Sequence, residues 1–249
     1  MRFPWRALLD FILNLLFPVT CVVCHAPVLE RRWGGACPSC WLSLVPLEPP
    51  FCPKCGEPAP AIEGFCGPCR KDEYAFDFAR SALLFTQTLR EIIHHLKYAD
   101  RVSLAKPLGA FLKECHVHEG FSGNLVIPVP LHRSRERTRG FNQAELIAAG
   151  LDVPVASRIL RRRKDTPSQT GLSRGERRRN LAGAFEVRGK VSGTVIVVDD
   201  VYTTGSTMNE IARTLKRAGA GRVEVLTVAR VPSYRAEETA AAAIGPRTQ

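Results

Sequence analysis

The sequence opens without an apolar run long enough to cross a bilayer. The stretch from Ala7 to Phe17 is broken by Asp10 and Asn14, has no small-residue cleavage site and leads directly into Cys21, so neither a membrane span nor a signal peptide is expected. Leu8, Leu9, Phe11, Ile12, Leu15 and Leu16 recur at helical spacing, which predicts an amphipathic helix over residues 1–18; interfacial membrane attachment is the alternative. Cysteine is nearly missing after residue 69, where only Cys115 occurs, and that lone thiol reads as a small core residue. Histidine is scarce too. His94, His95, His116 and His118 stand at no metal-ligating spacing with carboxylates and read as surface or packing residues. Glycine and proline are modest, 19 and 18 in 249 residues with 45% apolar content, so one or two domains with a substantial core are expected.

Acidic residues are the other deficit, 24 against 35 Lys and Arg, for a formal charge of +11. The excess is clustered, and clustered charge builds a field where scattered charge only aids solubility. Residues 158–179 carry nine basic against two acidic side chains, and residues 133–139 carry four Arg against Glu136.

What is abundant is cysteine in the first seventy residues. Eight of the nine fall into Cys21-Val-Val-Cys24, Cys37-Pro-Ser-Cys40, Cys52-Pro-Lys-Cys55 and Cys66-Gly-Pro-Cys69. Two cysteines in a tight turn aim both thiolates at one ion, whereas a secreted disulfide framework has no reason to repeat that spacing four times. Eight thiolates complete two tetrahedral zinc sites and leave no position for water, so both ions are expected to be structural. Short gaps favour sequential pairing; a cross-braced arrangement is the alternative. Chelation is expected to unfold this module and spare the rest. Thiol usage of this kind points to a reducing compartment, the cytoplasm.

Composition changes near residue 72, which sets a domain plan: amphipathic helix 1–18, double zinc ribbon 19–72, an α/β domain 73–232 and a disordered tail 233–249. Within the α/β domain, strands are predicted at Phe78–Phe85, Leu125–Pro130, Val153–Leu160, Thr194–Val198 and Val223–Val228. Helices are predicted at Gln87–Tyr98, Ser103–His116, Phe141–Leu151 and Ser206–Ala218. This alternation implies a mainly parallel sheet with helices on both faces, and a ligand beyond the carboxyl ends of its strands.

The segment Val195-Ile-Val-Val-Asp-Asp-Val-Tyr-Thr-Thr-Gly-Ser-Thr-Met208 carries the chemistry. A buried strand delivers Asp199 and Asp200 to its end, where two carboxylates can accept hydrogen bonds from vicinal ribose hydroxyls or hold hydrated magnesium. Thr203, Thr204, Gly205, Ser206 and Thr207 then open a helix. Their hydroxyls and backbone N–H groups can enclose a phosphate, and Gly205 permits close approach.

This segment resembles the signature of type I phosphoribosyltransferases: a hydrophobic strand, two acidic residues and a Thr/Ser-rich phosphate loop. Val129-Pro-Leu-His-Arg-Ser-Arg-Glu-Arg-Thr-Arg-Gly-Phe-Asn-Gln-Ala144 and Gln169-Thr-Gly-Leu-Ser-Arg-Gly-Glu-Arg-Arg-Arg-Asn-Leu-Ala-Gly-Ala-Phe185 extend the likeness to the ComF competence family. That resemblance reaches residue 230 and implies a role in DNA uptake. It implies binding of phosphoribosyl diphosphate with magnesium, Asp199, Asp200 and Arg139 at the reacting centre, and Arg133, Arg135, Arg137 and Gly140 facing pyrophosphate. Lys97 and Tyr98 would reach the same site, and Gln169, Arg174 and Asn180 belong to a segment, 165–180, placed like a hood over it. Implied partners are single-stranded DNA and proteins of the uptake machinery such as a helicase.

Two function classes follow. In one, an enzyme transfers a phosphoribosyl group to an acceptor that no residue pattern identifies. In the other, the scaffold is a non-catalytic binder of single-stranded DNA through ribbons and arginines. Transfer of an amide from glutamine is not expected, because Arg2 follows Met1 in place of a catalytic terminal cysteine.

Overall fold

The computed structural model describes residues 19–28, 30–58, 64–71, 73–165 and 180–233. The expected helix over 1–18, Gln169, Arg174 and the tail from 234 onward lie outside them. Four strands, β1 (Phe78–Leu84), β2 (Leu125–Pro128), β5 (Thr194–Tyr202) and β6 (Arg222–Arg230), form a wholly parallel sheet in the order β1-β6-β5-β2. The short strands β3 (Leu160–Arg162) and β4 (Phe185–Val187) pair antiparallel beside it.

Both sheet faces are covered, which is why the strands read as continuous apolar runs. On β5, Ile196 and Val198 join the buried cluster that holds α3 (Gln87–Tyr98) and α4 (Ala105–His118). Val195 and Val197 point the other way, into the cluster that holds α7 (Ser206–Arg217). Thr86 caps α3 by accepting from the Leu89 N–H, and Leu89, Ile92, Ile93 and Leu96 bury one stripe of it. Cys115 on α4 is half-buried against the first cluster, where burial pushes its thiol up to about 12, so it is no ready nucleophile.

The expected strand Val153–Leu160 is not formed as such. Pro154 lacks an N–H and the chain turns at residues 157–159, so only Val155 pairs with β2, flanked by Val126 N–H to Pro154 carbonyl and Ala156 N–H to Val126 carbonyl, 2.8 Å each. The helix expected at Phe141–Leu151 is shorter, α6 (Gln143–Ala148). The arginine-rich stretch, which falls outside the expected helices, is α5 (Arg133–Arg139), capped by His132 and stopped by Gly140 in the left-handed conformation, φ 79°.

The cysteine pairs settle as sequential sites. Cys21, Cys24, Cys37 and Cys40 form one cluster and Cys52, Cys55, Cys66 and Cys69 the other, with the four Sγ atoms of each within 4.8 Å of one another. A tetrahedron with Zn–S arms of about 2.3 Å has edges of about 3.8 Å, and Cys24–Cys37 and Cys55–Cys66 stand 3.6 and 3.5 Å apart. The backbone N–H groups of Cys37 and Cys66 donate to Cys21 and Cys52 sulfurs at 3.3 and 3.4 Å, as thiolates require. The donor set therefore fits zinc. The two sites are copies of one motif: Thr20 bridges Pro27 as Phe51 bridges Pro58, and short helices α1 (Pro38–Leu42) and α2 (Gly67–Arg70) start at Cys37 and Cys66.

These ribbons are built into the sheet. The first shares its buried cluster with α3 and α4, and the second with α7. The segment between them runs antiparallel along the otherwise open edge of β1, with Leu47 N–H to Ala82 carbonyl at 3.0 Å and Leu84 N–H to Val45 carbonyl at 2.8 Å. A free strand edge is thereby closed. Arg230, at the end of β6 and only 2% exposed, ion-pairs with Glu57 of the second ribbon and donates to the Cys55 carbonyl at 2.6 Å.

Shared cores revise the expectation that chelation spares the α/β domain. Metal analysis should give two zinc ions per chain, and their removal should abolish a single unfolding transition that includes the sheet; an intact sheet after chelation would contradict this. Glu57→Ala leaves a buried guanidinium unpaired and should cost about 3–5 kcal/mol. Denaturant unfolding measures it, and a loss under about 1 kcal/mol would place the charge in water.

Candidate functional site

On one flank β5 runs beside β6 to Tyr202, opposite Arg230; on the other its partner β2 stops at Pro128, opposite Val198. Asp199 and Asp200 are the next two residues, so they emerge where the sheet loses a strand and the chain from β2 departs into α5. A crevice at the carboxyl end of a parallel sheet follows from that topology. It is a cavity of about 740 Å³.

Strand alternation gives the two carboxylates different surroundings. Asp200, 4% exposed, points with Ile196 and Val198 toward the α3 face and ion-pairs with Lys97 in the last turn of that helix. Asp199 points the other way and is less enclosed. Burial and the neighbouring Asp200 carboxylate push Asp199 well above the usual carboxylate range. For Asp200 burial acts in the same direction, but the Lys97 ammonium and a hydrogen bond with Asp199 together outweigh it and hold the group below its usual value. Lys97 thus offsets Asp200, and an anion entering the cavity meets less repulsion than from a bare carboxylate pair.

Thr203 and Thr207 line the same cavity. Between them Gly205 takes φ 73° and starts α7 with no side-chain cap on its first N–H groups, an arrangement that receives anions. A Cβ at Gly205 would overlap the Tyr202 hydroxyl oxygen, so only glycine fits. The Thr204 and Ser206 hydroxyls bond each other at 2.9 Å and frame the loop without lining the cavity.

Arg139 closes the far wall. Its guanidinium donates to Gln143 at 2.5 Å and lies 5.1 Å over the Tyr98 ring. Because residues 133–139 are helical, the alternating arginines split into two faces. Arg135 and Arg139 line the cavity, Arg133 faces a neighbouring hollow of about 420 Å³ with Arg161, Arg162 and Arg163, and exposed Arg137 lines neither. Gly140 serves as the stop of α5. Arg162 lines both hollows and stacks 5.7 Å over Phe185. Lys97, Arg139, Asp199, Asp200, Thr203 and Thr207 thus line one cavity, while Arg133 and Arg137 do not. Gln143, Asp100 and Arg162 are additional lining residues. Gln143 had a legible signal, four residues after Arg139 and hence one helical turn away. Asp165, where the expected hood begins, accepts from Ser134 of α5 at 2.6 Å; residues 166–179 of that segment lie outside the described residues.

A family model described as Double zinc ribbon domain matches residues 12–70, and one described as Phosphoribosyl transferase domain matches residues 137–247. Among similar proteins, DNA utilization protein YhgH of Escherichia coli K12 is 33% identical over 226 residues, 87% of this chain and 99% of that protein. Competence protein ComFC of Bacillus subtilis is 27% identical, spanning 78% of this chain and 83% of its own length. Competence protein F of Haemophilus influenzae is 31% identical over 227 residues, 86% of this chain and 98% of that protein. With two cysteine clusters of zinc-ribbon form, a parallel sheet ending in Asp199-Asp200 and likeness over nearly whole chains, this protein belongs to the family of Competence protein F, ComFC and YhgH.

Proposed function

We propose that the cavity binds phosphoribosyl diphosphate together with magnesium, and that the protein serves the handling of incoming DNA in the cytoplasm. The observation that carries this reading is the convergence on one cavity of an uncapped helix start, a carboxylate pair and four basic side chains, Lys97 and Arg139 among them. The 5-phosphate sits on Thr203–Thr207, where backbone donors and hydroxyls can meet it. Asp199 accepts from the ribose hydroxyls. Lys97, beside Asp200, and Arg139 face the diphosphate, and Arg139 offers it a forked pair of donors held in place by Gln143 and Tyr98. Magnesium fits as a companion of the diphosphate, since Lys97 already occupies Asp200 and Asp199 alone remains for a hydrated ion. In transfer, Lys97 and Arg139 stabilise the charge that gathers on the departing diphosphate. Names of relatives, competence and DNA utilization, support the setting in DNA uptake.

A second reading, binding of single-stranded DNA, is favoured by the hollow beside the site, where Arg133, Arg161 and Arg163 gather against Glu186. The two readings are compatible, because that hollow adjoins the ligand cavity through Arg162.

Calorimetry should detect phosphoribosyl diphosphate with magnesium, and Asp199→Ala should weaken it at least about tenfold, as expected for lost hydrogen bonds to a charged group. Alanine is the chosen variant because asparagine would keep an accepting oxygen for the ribose hydroxyls and Asp200→Asn would release Lys97. No heat at millimolar ligand, or an unaffected variant, would contradict the assignment. For DNA, Arg161→Ala with Arg163→Ala should weaken single-strand binding whatever the sequence and make log K shallower in log salt by about 0.7 for each phosphate that is no longer neutralised. An unchanged slope would put the DNA elsewhere on the surface.

A further inference from the structure

Tyr74 follows the second ribbon five residues after Cys69, and its hydroxyl donates to the Thr204 carbonyl at 3.0 Å. The ring is buried and stacks on Phe76 at 4.8 Å; Phe76 meets Tyr202 edge-on at 6.3 Å. Arg230, bonded to the Cys55 carbonyl, lies 4.2 Å over the Tyr202 ring. On α7, Asn209 accepts from the Ala75 N–H at 2.6 Å and donates to the Glu73 carbonyl at 3.0 Å. The segment 73–76 therefore holds both the floor of the phosphate loop and the first turn of the helix that follows it.

Peptide planarity turns this hydrogen bond into a statement about the ligand. The Thr204 carbonyl and the Gly205 N–H lie on opposite edges of one trans peptide. With the carbonyl bonded to Tyr74, the N–H faces away from Tyr74. A flipped peptide would present the carbonyl oxygen to a phosphate and repel it. Glycine at φ 73° makes such a flip easy, so an external restraint decides which edge is offered.

We propose that Tyr74 is a positioning residue that fixes the Thr204–Gly205 peptide with its N–H toward a bound 5-phosphate, so that the second cysteine cluster sets the affinity of the loop. This rests on the reading that the cavity binds phosphoribosyl diphosphate. Coupling between two sites is reciprocal: ligand on the loop tightens the hold of the second cluster on zinc, while the first cluster, which shares its core with the opposite sheet face, is unaffected.

The test uses the full, zinc-loaded chain. In Tyr74→Phe, which removes one hydroxyl, amide hydrogen exchange across residues 203–207 should accelerate at least about threefold without ligand. Affinity for phosphoribosyl diphosphate with magnesium should fall about three- to tenfold, the range for one neutral hydrogen bond. In wild type the ligand should slow release of one of the two zinc ions to a chelating dye, and in Tyr74→Phe that slowing should shrink. Ser103→Ala removes a comparable bond to the first ribbon, Ser103 Oγ to the Gly34 carbonyl at 2.8 Å, and should change none of these. Should Tyr74→Phe fail to keep both zinc ions, Asn209→Ala, which cuts the tether from α7, should act in the same direction. Unchanged exchange in the variant overturns the positioning role whether or not ligand binds. Equal affinity of wild type and variant overturns it and leaves the ligand site standing, whereas wild type that never binds overturns the ligand site and with it the role of Tyr74 toward a phosphate.

Discussion

Arg230 is a cation with almost no access to water, and the arrangement of the molecule follows from satisfying it. It ends the strand β6 in the middle of the sheet, packs on Tyr202 at the end of β5 and finds its counter-charge in Glu57, which also accepts from the Ser233 N–H and hydroxyl at 2.6 Å. Removing one partner of such a buried pair is costly, since the other is left desolvated and unpaired. The second ribbon is therefore held to the carboxyl end of the sheet, the end where the carboxylates and the phosphate loop emerge. The cysteine module and the cavity at the end of β5 are neighbours for this reason.

Charge also organises the site itself. A diphosphate would be repelled by two bare carboxylates, and Lys97 removes that conflict by pairing with Asp200. The lysine comes from the last turn of α3, where the helix dipole favours a cation. Asp199 is left without that ion pair, and Arg139 is preset by Gln143 and Tyr98. The groups that line the cavity thus come from different elements, so the cavity depends on the register of β5 against β2 and on the placement of α3 and α5.

Much of this was legible in the sequence. Val195-Ile-Val-Val198 followed by two acids announces a buried parallel strand with carboxylates at its tip, and Gln87–Tyr98 carries its helical stripe plainly. Four Cys-x-x-Cys pairs announce two tetrahedral sites. Less legible was the stretch 133–139, whose alternating arginines have the period of a strand or an extended loop; His132 and Gly140 cap it as a helix and send Arg133 and Arg135 to different hollows. Val153–Leu160 looks like a strand, yet Pro154 restricts its pairing to a single bridge. The hydrogen bonds of Tyr74 and Arg230 join residues 130 and 175 positions apart, and no local pattern signals them.

If Asp199 to Thr207, walled by Lys97 and Arg139, forms a phosphoribosyl diphosphate site, a crystal structure of the full chain with that ligand and magnesium will display it. The 5-phosphate should then lie on the Thr203–Thr207 backbone with the Gly205 N–H donating to it, the ribose hydroxyls on Asp199 and the diphosphate against Arg139. Ligand bound among Arg133, Arg161 and Arg163, with the loop empty, would contradict the assignment.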